Sequence, residues 1–108
     1  MDSLFERKED NVILVFDRLI ETVGQWPDVQ FSATKSCIVF VSNTTFLIAK
    51  PMKNALDLHF SLSEPEEDPV VYKCVQYGGR FVHYIRLYEP NDLTPPVLRL
   101  IKQAYSGK

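Results

Sequence analysis

Few side chains in this sequence are equipped for chemistry, and they are scattered. They are Cys37 and Cys74, His59 and His83, Lys35 within Thr34-Lys35-Ser36, the acidic run Glu64, Glu66, Glu67 and Asp68, and the stretch from Arg80 to Tyr88. A structural zinc site takes its ligands in close pairs. The two cysteines and two histidines form no C-x-x-C or H-x-x-x-H pair, so no metal centre is expected. If Gly78-Gly79 turns a hairpin, Cys74 and His83 stand opposite each other, which is the placement a thiol nucleophile and its base would need. No local signature of a thiol enzyme accompanies them, and an ordinary cross-strand pair is the simpler reading. His83 has apolar neighbours of its own parity and reads as a buried, neutral imidazole. No glycine-rich phosphate loop and no G-x-S-x-G elbow is present, and no cofactor is expected. The acidic run lies among prolines and reads as a solvated loop. Thr34-Lys35-Ser36 offers hydroxyls, amides and an ammonium to an anion, although a solvated turn is the default reading.

One constellation has more content. In a strand, successive side chains point to opposite faces. Phe81, His83, Ile85 and Leu87 share one parity, and Arg80, Val82, Tyr84, Arg86 and Tyr88 share the other. The first set is expected to face the helices. The second would lie on an open face, beside Asp57, His59 and Ser61 of an earlier strand. Tyr84, Tyr88, Arg86 and His59 supply flat rings and directional donors, residue types enriched at binding surfaces. The same residues are also common cross-strand neighbours on exposed sheets.

The elements that must carry these residues are readable from periodicity. Val12, Phe16, Leu19, Ile20 and Val23 recur at helical spacing. Gly24 stands where a left-handed C-terminal residue is favoured, and Pro27 follows. Asp10 is a candidate cap, and Ser3 with Glu6 is a capping-box alternative. Cys37 to Val41 and Thr45 to Ala49 read as a hairpin about Ser42-Asn43-Thr44. Both runs are apolar on both parities, as if covered on both sides. Leu56 to Leu62 alternates as a half-buried strand. Val70 to Tyr77 and Arg80 to Tyr88 form a second hairpin, and a short strand near Val29 to Ala33 would make six. Leu93, Val97, Leu100, Ile101 and Ala104 form a closing helical stripe, with Asn91 or Asp92 as its cap and Pro95-Pro96 in its first turn. The expected fold is α+β: a two-layer sandwich, with two helices packed on one face of a mostly antiparallel five- or six-stranded meander.

The 108 residues read as one domain, with 1–9 and 106–108 frayed. Apolar residues make up 45% and charged residues 24%, the mix of a globular chain. The net charge is −2, so no global positive field attracts nucleic acid or an anionic membrane. No secretory signal is expected from the charged N-terminal residues, no apolar run is long enough to span a bilayer, and two cysteines do not make a disulfide scaffold. A cytoplasmic location with free thiols is expected.

Several segments carry a resemblance. They are Thr34-Lys35-Ser36-Cys37-Ile38-Val39-Phe40, Phe46, Leu56-Asp57-Leu58-His59-Phe60, Arg80-Phe81-Val82-His83-Tyr84-Ile85-Arg86-Leu87 and Ile101-Lys102-Gln103-Ala104-Tyr105. Over nearly the whole chain it resembles the bacterial domain-of-unknown-function family 5655, which also occurs as the terminal domain of longer proteins, some labelled predicted transport proteins. The resemblance implies an accessory or binding domain of a bacterial cytoplasm and no catalytic residues. Cys37 stands where that family more often has an aromatic residue, which argues against a catalytic thiol. The expected function is a non-enzymatic binding or interaction module using the Tyr/Arg face. Its site residues would be His59, Tyr84, Arg86, Tyr88 and Lys35, with a homodimer or a protein as partner. Membrane and nucleic acid are not expected partners. The alternative is a small-anion or enzymatic site built from Lys35, His59 or His83, and Arg86.

Overall fold

The computed structural model describes residues 8–106. Helix α1 spans Asp10–Val23, and the strands are β1 Gln30–Ala33, β2 Ile38–Ser42, β3 Thr44–Pro51, β4 Leu56–Leu62, β5 Lys73–Tyr77 and β6 Arg80–Leu87. A 3₁₀ turn over Pro90–Asp92 leads into helix α2, Pro95–Ser106. The strands form one six-stranded sheet in the order β1-β2-β3-β4-β6-β5, antiparallel throughout. The α+β class is as the sequence implies, and the short first strand exists. The strand order leaves a simple meander at one place. The acidic 63–72 connection carries the chain past the position of β6, and β6 then folds back between β4 and β5. Several contacts tie that connection down, among them the Glu66 N–H donating to His83 Nε2 at 2.9 Å and Asp68 lying 3.8 Å from Arg99 of α2.

Both helices bury their apolar stripes on the same sheet face. Val12, Val15, Phe16, Leu19 and Val23 of α1 meet Val97, Leu100, Ile101 and Ala104 of α2 in one core with Ile38, Phe40, Leu47, Leu58 and Ile85. Burying each large aliphatic or aromatic side chain of this kind stabilises the fold by roughly 1.5–3 kcal/mol.

Four local readings are corrected. The β2 and β3 runs are covered on one face only: Val39, Val41 and Ile48 are half-buried on the side away from the helices. Their β-branched content suits a pleated sheet whether or not anything lies above it. Gly24 is not left-handed, with φ −65°. It is glycine because an added Cβ would lie 2.5 Å from the carbonyl oxygen of Ile20. Asp10 begins α1 rather than capping it. Glu9 takes the cap position without a side-chain bond, and the Ser3–Glu6 alternative lies outside the described residues. Asp92 caps the 3₁₀ turn instead of α2, with its Oδ2 accepting the N–H groups of Tyr88 and Glu89 at 2.9 and 3.2 Å.

A bulge interrupts the ladder between β2 and β3. Phe40 pairs with Leu47 and Val41 with Thr45, so Phe46 is the extra residue. Phe46 and Leu47 are consequently both buried. The β3–β4 ladder runs only from Pro51↔Leu56 to Ile48↔His59, and beyond it the strands part.

Candidate functional site

Register assigns the side chains of the uncovered face directly. β4 contributes Asp57, His59 and Ser61, opposite Arg86, Tyr84 and Val82 of β6. β5 adds Lys73, Val75 and Tyr77, opposite Tyr84, Val82 and Arg80. Lys50 stands opposite Asp57 from β3.

At the centre of this face is a carboxylate that solvent scarcely reaches. Asp57 is 6% exposed although neither described helix lies over it and its cover comes from neighbouring side chains. The Tyr72 hydroxyl donates to its Oδ1 and Oδ2 at 2.8 and 3.0 Å. His59 Nε2 lies 3.0 Å from Oδ2, and Arg86 Nε lies 3.5 Å from Oδ1. Arg86 Nη2 in turn donates to the Tyr72 hydroxyl at 3.1 Å, and the guanidinium sits 4.7 Å over the Tyr72 ring. The His59 and Tyr84 rings are 4.5 Å apart, and the Lys73 ammonium is 5.1 Å from the Tyr84 ring.

A buried carboxylate is sustained by charge-assisted hydrogen bonds, and here it orients the groups around it. Burial first, and then Asp57, push the Tyr72 hydroxyl above its ordinary pKa, so it stays a donor. Desolvation works to lower the Arg86 pKa, but Tyr72, Tyr88 and Asp57 outweigh it and the net direction is upward. Arg86 Nε is itself buried without a hydrogen bond; its distance to Asp57 exceeds good geometry. The guanidinium is therefore held by its tip and its ring contact, with part of its donor fork uncommitted.

Of the residues named from the sequence, His59, Tyr84 and Arg86 are brought together. Tyr88 lies past the end of β6 and is exposed. Lys35 is in the β1–β2 turn, with β2 and β3 between it and β4. In that turn, Thr34 Oγ1 accepts the Cys37 N–H at 3.1 Å and Thr34 N–H donates to the Cys37 carbonyl at 2.8 Å, so those groups are already engaged. His83 points to the other face and is fully buried. Its Nδ1–H donates to the Phe81 carbonyl at 2.9 Å and its Nε2 accepts from Glu66, which defines the tautomer. Burial pushes its pKa below the ordinary value, against the Phe81 carbonyl and the Glu66 charge. The Cys74–His83 pairing exists in register, but both ring nitrogens are occupied and Cys74 is exposed.

Two residues escape sequence reasoning. Asp57 is legible as an open-face residue but not as a buried one. Tyr72 carries no marker of its own in the sequence. Its N–H donates to the Tyr84 carbonyl at 3.0 Å while Lys73 is the register partner of Tyr84. Two consecutive residues thus stand against one, as in a bulge, and both reach the same face.

The family model of the domain of unknown function DUF5655 matches residues 1–108, and the chain belongs to that family. No curated protein and no solved structure matches it. Among the described residues, no helix is long and apolar enough to cross a membrane.

Proposed function

We propose that this chain is a non-enzymatic binding module that takes an anionic ligand on its open sheet face, anchored by Arg86 with His59, Tyr84 and Lys73 around it. The observation that carries this reading is a segregation of charge. Register gathers Lys50, Lys73, Arg80 and Arg86 on one face. Asp57, the sole strand carboxylate on that face among the described residues, is already engaged by three partners. The net charge of −2 therefore conceals a cationic face, the negative charge lying on α1 and in the loops, above all the 63–72 connection. Such a face raises the local concentration of anions. It also disfavours a two-fold homodimer through the same surface, because an isologous contact would set like charges against each other.

Isothermal titration with inorganic pyrophosphate at low salt tests the reading. The wild type is expected to bind, Arg86→Ala to weaken binding at least tenfold, and Arg86→Lys to fall between, since a lysine lacks the planar fork. Arg18→Ala, an exposed change on α1, is expected to bind like the wild type. Equal affinity of wild type and Arg86→Ala would remove the basis for the assignment.

A further inference from the structure

Resting on that reading, we infer that the anionic ligand is a single-stranded nucleic acid, its bases on the rings of the open face and its phosphates on the surrounding cations. The overall acidity of the chain argues against any nucleic acid, but the relevant quantity is the charge of one face, and that face is basic. Three features of it match the chemistry of an unpaired strand.

The first is the spacing of the cations. Arg80 and Arg86 share a face of β6, six residues apart, which at the usual strand rise is about 20 Å. Lys73 and Lys50 flank that line from β5 and β3. This is a track for an extended polyanion rather than a cup for one small ion.

The second is the rings. Tyr84 and His59 form a central pair, with Tyr72 beside them and Tyr77, 64% exposed, opposite Arg80. Unpaired bases stack on such rings and on arginine planes without needing a particular sequence. The site lies on the face of a sheet rather than on a helix shaped to enter a duplex groove.

The third is a depression produced by the Phe46 bulge. Where β3 and β4 part, a hollow of about 140 Å³ opens beside His59, walled by Phe46, Ile48 and Val82 with the Ser61 hydroxyl at its side. A second hollow of about 220 Å³ shares Thr45, Phe46 and Ser61 with it and runs on to Arg80. The apolar walls of the first hollow, with the Ser61 hydroxyl that accepts from Arg80 Nε at 3.4 Å at their edge, suit a splayed base. An acidic peptide would use the cations but leave the ring pair and the hollow unfilled.

Fluorescence anisotropy tests the inference, using a labelled oligouridylate, the matching oligodeoxythymidylate, and polyglutamate as a competitor. Binding of either oligonucleotide is expected, and the stronger of the two identifies RNA or DNA. With about four phosphate contacts, log K should fall against log salt with a slope of roughly −2 to −3, and Arg86→Ala should flatten it by about 0.7. Tyr84→Ala should weaken binding about tenfold while Tyr84→Phe retains it, which separates stacking from loss of fold. If pyrophosphate binds and neither oligonucleotide does, or polyglutamate competes at equal charge concentration, the nucleic-acid inference falls and the anion-binding reading stands. If pyrophosphate does not bind either, both fall.

Discussion

Asp57→Ala is expected to lower the unfolding free energy by about 2–4 kcal/mol, although Asp57 lies on the sheet face opposite helices α1 and α2. The substitution leaves the Tyr72 hydroxyl, His59 and Arg86 facing a missing acceptor. Breaking a buried charged network from one side costs about 3–5 kcal/mol where the remaining groups cannot rehydrate. Here the side chains of His59 and Arg86 are 25% and 35% exposed against 8% for Asp57, so water recovers part of the loss and the expectation sits below that range. Asp57→Asn keeps the shape and one acceptor and should cost about half as much. The measurement is urea unfolding, read as a shift of midpoint at unchanged slope. A loss under about 0.5 kcal/mol for Asp57→Ala, the scatter of ordinary surface substitutions, would mean that the carboxylate does not organise the cluster.

His83→Ala is expected to cost about 3 kcal/mol through a different mechanism: truncation leaves a cavity and strands both the Phe81 carbonyl and the Glu66 N–H. The ring is fully buried and stacks on Phe60 at 5.6 Å with an interplanar angle of 8°. Amide exchange should accelerate over the 63–72 connection, which loses an anchor. Wild type and variant should also differ in pH dependence. The folded-state pKa of His83 lies below the ordinary 6.5. The unfolded state therefore takes up a proton first as pH falls. The contribution of the neutral ring is complete above about 6.5 and is lost as pH falls through the folded value. Wild-type stability should decline over that window more steeply than that of His83→Ala. Parallel profiles would show that His83 is not held neutral by the fold.

These two residues mark what the sequence discloses and what it does not. His83 is legible because it shares parity with Phe81, Ile85 and Leu87, and a face shared with aliphatic residues is a buried face. The open face is legible by the same alternation, which correctly puts His59, Tyr84 and Arg86 together. Alternation assumes an unbroken ladder, and the misses lie where the ladder is irregular. Tyr72 joins the site because it and Lys73 both stand against Tyr84, which parity counting forbids. Phe46 and Leu47 are both buried because Phe46 is an inserted residue. The burial of Asp57 depends on Tyr72, so it is invisible for the same reason. The placement of β6 between β4 and β5 arises from a long connection that leaves no local signal. The cationic face is hidden by the net charge, since a sum over the chain contains no information on which side of a sheet each charge lies.

The central claim is that the open face, and no other surface, binds an anionic ligand. Its most direct test is a ¹⁵N chemical-shift map of the ¹⁵N-labelled protein titrated with pyrophosphate. The amides expected to move are those of Asp57, His59, Ser61, Val82, Tyr84 and Arg86, with Lys73 at the edge. Shifts centred instead on α1, α2 or residues 63–70, with β4 and β6 unmoved, would contradict it.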